Sequence, residues 1–101
     1  MTEAWLMADR ESFSTFFHVP VNRIPQDPES SPHAKRVLLA LCAQSRSRNV
    51  KRDMTAAGGA AGPLYVSQLN EYASTAWRPT EAAAVSPSLS RALAEIELLP
   101  R

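Results

Sequence analysis

Apolar side chains recur along this chain at intervals of three and four, and that rhythm predicts helices. Over Glu3 to Phe17, residues Trp5, Leu6, Phe13, Phe16 and Phe17 follow it. Asp9 is placed to cap a second piece beginning at Arg10, with Glu11 favourable in its first turn. Ser31-Pro32 reads as a helix start, with serine as cap and proline in the first position. From there to about Arg46, residues Ala34, Val37, Leu38, Leu41 and Ser45 share a face, with Cys42 at its border. Pro63 opens a further helix to about Trp77, with Tyr65, Leu69, Tyr72, Ala73 and Ala76 as its stripe. Arg78-Pro79 stops it, because the residue before a proline resists helical geometry. Thr80 to Ala84 is a short helical turn, and Ser86-Pro87 repeats the serine–proline start. The final helix carries Leu89, Ala92, Leu93, Ile96 and Leu99 on one side.

Between these elements lie two irregular stretches. Residues 18–32 hold Pro20, Pro25, Pro28 and Pro32, a density that forbids a regular helix. Val19, Val21 and Ile24 are the candidates to anchor this loop to the core, and 19–24 could form a short extended segment. Residues 53–62 include Thr-Ala-Ala-Gly-Gly-Ala-Ala-Gly and read as a flexible, small-residue loop. The expected architecture is a single, mainly α domain spanning 1–101. It is a small bundle of four to five short helices with long Pro-rich and Gly-rich loops. The expected core is Trp5, Leu6, Phe13, Phe17, Val37, Leu38, Leu41, Leu69, Tyr72, Leu89, Leu93 and Ile96.

Composition sharpens this. The chain has 101 residues, and alanine and leucine far outnumber valine and isoleucine, which favours helix over sheet. A core this small gives marginal stability, and a homodimer would be one remedy. A single cysteine excludes an internal disulfide framework and fits a reducing, cytoplasmic setting. Cys42 reads as a small buried thiol. One Cys and two separated histidines, His18 and His33, argue against structural zinc. No apolar run approaches the roughly 20 residues that a membrane span needs, so no membrane partner is expected.

Net charge is +1 but unevenly spread: Lys35, Arg36, Arg46, Arg48, Lys51 and Arg52 fall within 32–52 without a single acid. Such a block meets either phosphate, an acidic partner, or simply water as a solvated helix end. Asp53 reads as an internal partner of these cations. No glycine-rich phosphate loop, nucleophile elbow or metalloprotease helix occurs. Glu3 and Asp9 are six residues apart and share no helix face, but a kink at Asp9 would bring them towards a common Mg²⁺. The plainer alternative has Glu3 neutralising a helix start and Asp9 capping.

The segment Glu3-Ala4-Trp5-Leu6-Met7-Ala8-Asp9-Arg10 resembles the Glu-Ala-Trp-x-x-Ala-Asp-Arg segment of the RloB-like, presumed Toprim-type bacterial family. The similarity continues through Ser45 to Met54, Gly62-Pro63-Leu64-Tyr65, Trp77-Arg78-Pro79 and Ser86 to Leu93, in the same order. The resemblance implies the helical C-terminal part of a larger α/β protein, as a fragment or a short version. It also implies association with ATPases in defence or mobile loci, with the Mg²⁺-binding acids in a half not present in this sequence. Glu3 and Asp9 would then lie near that acidic site, with Arg46, Arg48 and Arg52 facing it.

Three functions follow. The first is a non-catalytic interaction module that packs on a Toprim-like half or an ATPase through Trp5, Phe13 and Phe16. The second is a nucleic-acid-binding module using Arg46, Arg48, Lys51 and Arg52. The third is a nuclease using Glu3 and Asp9, the one reading that requires a cofactor, Mg²⁺.

Overall fold

The computed structural model describes residues 2–97. It is mainly α, with helices α1 (Thr2–Ala8), α2 (Arg10–Phe17), α3 (Ala34–Ala43), α4 (Arg48–Met54), α5 (Tyr65–Thr75), α6 (Pro79–Ala83) and α7 (Pro87–Glu97). Single 3-10 turns lie at Val21–Arg23, Pro28–Ser30 and Ala57–Gly59. The described residues contain no strand, only an isolated antiparallel bridge between Thr55 and Ala61. The helices are shorter and more numerous than the four or five expected.

The organising element is α1. A helix that is apolar on every side belongs in an interior, and Ala4, Leu6, Met7 and Ala8 are all buried, with Trp5 half-buried. Two apolar clusters meet on it. The larger joins Leu6 and Met7 to Phe13 and Phe17 of α2, Leu38, Leu41 and Cys42 of α3, Met54 of α4, and Leu69 and Tyr72 of α5. The smaller joins Ala8 to Ala82 of α6 and Leu89 of α7, with Trp5, Trp77 and Leu93 packed against it. Tyr72 is the polar pin of the larger cluster. Its ring stands edge-on to Phe13 with centroids 5.8 Å apart, and its hydroxyl donates to the carbonyl of Leu6 at 3.0 Å. Burial, followed by the nearby Asp9 charge, pushes the Tyr72 phenol well above its ordinary pKa, so the group stays a donor.

Asp9 does end α1 and cap α2, accepting from the Ser12 amide, and His18 closes α2 in the left-handed region at φ 55°. The Pro-rich loop is tied down. Arg10 donates to the carbonyls of Val21 and Ile24, and Val19, Ile24 and Pro28 are buried. Two corrections apply here. Residues 21–23 form a 3-10 turn where an extended segment was considered, and Val21 is exposed.

Helix α3 starts at Ala34, two residues beyond the expected proline, with the Ser31 hydroxyl accepting from the His33 amide instead of capping the helix. It stops at Ala43, because Ser45 is drawn inward to donate to the Phe17 carbonyl at 2.6 Å. The basic stretch beyond it forms α4, an element missing from the expectation although Ser47 caps it by accepting from the Val50 amide. In the last helix Ile96 is 61% exposed and is not core, while Leu89 is buried and Leu93 lies between. Ala73, placed on the α5 stripe, also faces solvent.

The Gly-rich loop is closed by its own backbone. Its backbone pairs across itself, Ala56 amide to Ala60 carbonyl at 2.8 Å and Gly62 amide to Met54 carbonyl at 2.9 Å. Gly62 permits this approach, because a Cβ there would sit 2.6 Å from the Thr55 nitrogen and 2.7 Å from the Asp53 oxygen. These are backbone atoms that no rotamer change can move aside. Gly62→Ala is therefore expected to cost about 1–3 kcal/mol, the range of an over-packed site. Urea denaturation checks this, and an unchanged midpoint would show that the loop opens freely.

Candidate functional site

The candidate site is an apolar groove lined by α1, α5 and α7. Its lining includes Trp5 and Leu6 of α1, Leu69 of α5, Trp77, and Leu89 and Leu93 of α7. Val66 of α5 and Ile96 of α7 also line the groove. The burial of the α7 stripe fades along the helix: Leu89 is 2% exposed, Leu93 intermediate, Ile96 61%. The opposite lip, Val66, is 67% exposed. The space between is about 470 Å³, with Glu3 and Asn70 among its few polar neighbours.

The groove's indoles are fixed by hydrogen bonds. Trp77 Nε1–H donates to the Trp5 carbonyl at 3.0 Å, and Trp5 Nε1–H donates to Ser88 Oγ at 2.9 Å. Ser88 is held in turn by Glu29, in the 3-10 turn of the Pro-rich loop. The Glu29 carboxylate accepts from the Ser86 hydroxyl at 2.6 Å, from the Ser88 amide at 3.0 Å and from the Ser88 hydroxyl. Donors at a helix start suit an anion, and the hydrogen bonds from Ser86 and Ser88 hold the Glu29 carboxyl below its ordinary pKa. Sequence reasoning missed Glu29. A carboxylate capping a helix more than fifty residues away leaves no local signature.

The residues proposed as a partner surface divide. Trp5 is in the groove. Phe13 is fully buried and cannot present a surface; its ring packs 4.7 Å from Phe17. Phe16 is half-buried and lies in a separate shallow depression with Glu11, Thr15 and Ala76.

Glu3 and Asp9 are not brought together as a metal pair. Both Asp9 oxygens face Arg78, accepting from its backbone amide at 2.9 Å and from its guanidinium at 2.8 and 3.0 Å. Burial alone would raise the Asp9 pKa, but the bonds from Arg78 and Ser12 outweigh it and the net shift is downward. Glu3 instead accepts from the Tyr65 hydroxyl at 3.0 Å. Among the described residues no group of three His, Cys, Asp or Glu is placed to hold a metal ion. Each carboxylate is engaged by protein donors, Asp9 by Arg78 and Glu3 by Tyr65.

The Cys42 thiol is buried, and desolvation pushes it up to about 12, which keeps it protonated and unreactive. His18 and His33 are exposed at helix boundaries. Arg46, Arg48, Lys51 and Arg52 are exposed on and beside α4, and Asp53 pairs with Arg52 at 3.0 Å. No helix among the described residues is long and apolar enough to cross a membrane. No protein-family model, curated protein or solved structure matches the chain.

Proposed function

We propose that this chain acts as a non-catalytic interaction module whose α1–α5–α7 groove receives an amphipathic helix of a partner protein. The observation that carries the reading is the unfinished packing of α7. Its apolar stripe is covered at Leu89 and open at Ile96, facing Val66 across an apolar floor. A third helix laid between α5 and α7 would complete the stripe, which is how helix-in-groove recognition works. Indoles already held by Ser88 and by the Trp5 carbonyl lose little freedom on binding, which favours affinity. The resemblance to RloB-like proteins supplies the partner classes to try first, a Toprim-like half or an ATPase.

Both tryptophans of the chain line the groove, so intrinsic fluorescence reads its occupancy directly. Titration with the purified Toprim-like protein or ATPase encoded nearest this chain is expected to shift the emission and saturate. Val66→Asp and Ile96→Asp should abolish the shift while leaving thermal unfolding within about 0.5 kcal/mol of wild type, as exposed sites allow. Association that survives both substitutions would remove the groove from the reading. A concentration-dependent rise in mass, lost in the same variants, would instead make the occupant a second copy.

A further inference from the structure

We propose that the α3–α4 hairpin is a sequence-independent binding surface for the phosphodiester backbone of duplex nucleic acid. The fold adds three things to the bare run of cations. First, Arg48, Lys51 and Arg52 stand at spacings of three and four on α4, so they share one helix face. All three are exposed, as is Arg46 in the turn just before them. Second, α4 packs back along α3, and the loop that follows it lies beside Lys35 and Arg36 at the start of α3. Lys35 and Arg36, at the far end of the hairpin, share a recess with Glu3 and Glu29, so the binding strip itself is Arg46, Arg48, Lys51 and Arg52.

Third, the hairpin itself, residues 34–54, holds a single acid, Asp53. Among the described residues Arg52 pairs with Asp53, and Lys35 lies 5.3 Å from the centre of the Tyr65 ring. The other acids of the chain lie outside 32–53. This uneven spread along the sequence gives the hairpin a local positive charge that is drawn to a polyanion. Four of the six cations are arginines, whose forked donors match phosphate oxygens.

The surface also discriminates between duplex and single strand. Single-stranded recognition depends on exposed aromatic rings for base stacking. The ring beside the hairpin, Tyr65, is buried, and the half-buried Trp5 and Trp77 line the groove. Backbone contacts alone carry no base information, so the binding is expected to be indifferent to sequence.

The test is fluorescence anisotropy of the purified chain with a labelled duplex of arbitrary sequence, from roughly 50 to 200 mM salt. Four phosphate contacts give a slope of log affinity against log salt of about −3.6, and Arg48→Glu with Lys51→Glu should reduce it to about −1.8. At the lowest salt the double variant should bind at least about tenfold more weakly. Val66→Asp, which disables the groove, should leave the slope unchanged, so the two readings fail separately. Circular dichroism confirms that the double variant folds; if it does not, the wild-type slope decides alone. No association at low salt, a slope near zero, or equal or tighter binding of the matching single strand overturns the proposal.

Discussion

Replacing Phe13 by alanine is expected to lower the stability of the folded chain by about 3–5 kcal/mol, the range for deleting a buried phenyl ring. Phe13 has no exposed surface and sits between Phe17 and Tyr72, at centroid distances of 4.7 and 5.8 Å. Its removal strips contacts from both rings at once. It also loosens Tyr72, whose hydroxyl ties α5 to the Leu6 carbonyl in α1. Small domains have only about 5–15 kcal/mol in total, so the variant should lose a large share of its stability. Urea denaturation measures the loss. Phe16→Ala, at a half-buried neighbour, should cost clearly less and serves as the comparison. A loss below about 1 kcal/mol for Phe13, the typical effect of an ordinary point mutation, would mean that the cluster repacks and the central role of Phe13 is wrong.

The second large effect is expected at Asp9. Asp9→Ala removes the α2 cap, worth about 1 kcal/mol, and the charged acceptor of the Arg78 amide and guanidinium, worth about 1.5–3 kcal/mol. Because the guanidinium is half in solvent, the lower end applies, and about 2–3 kcal/mol in total is expected at neutral pH. The pH dependence has a definite sign. The folded-state pKa of Asp9 is lowered, so its contribution is complete above the ordinary aspartate pKa of about 4. It is lost as pH falls through the still lower folded value. The gap between wild type and Asp9→Asn should thus be widest near neutrality and close in acid. Urea midpoints taken stepwise down the pH scale test this, and a constant gap would mean that the Asp9 charge is not what stabilises the junction.

Which parts of this architecture a reader of the sequence can find depends on the range of the interaction. Asp9 as a cap, the stop at Arg78-Pro79 and the start at Ser86-Pro87 are decided by neighbours within four residues, and the fold uses all three. Phe17, Leu38, Leu41 and Tyr72 were legible as core because each lies on the apolar stripe of its own helix. The groove was only half legible. Trp5 stood out as a large aromatic residue in a small chain, but its fellow lining residues come from α5 and α7, which only tertiary packing brings together. Ile96 fits the α7 stripe as well as Leu89 does, and nothing local reveals that Leu89 is covered and Ile96 exposed. Helix α4 escaped notice because seven residues rich in charge show no stripe, although the serine cap was present. Gly62 looked like freedom and is in fact a close approach, a distinction set by the opposing backbone.

The hydrogen bonds of Trp5 span almost the whole chain: its indole binds Ser88, and its carbonyl receives Trp77. The residues that pin Trp5 from the smaller cluster are translated more than seventy codons after it. Until then α1 can pack only through Leu6 and Met7, on the helices of the larger cluster. Final packing of the smaller cluster is thereby deferred until α6 and the start of α7 have left the exit tunnel.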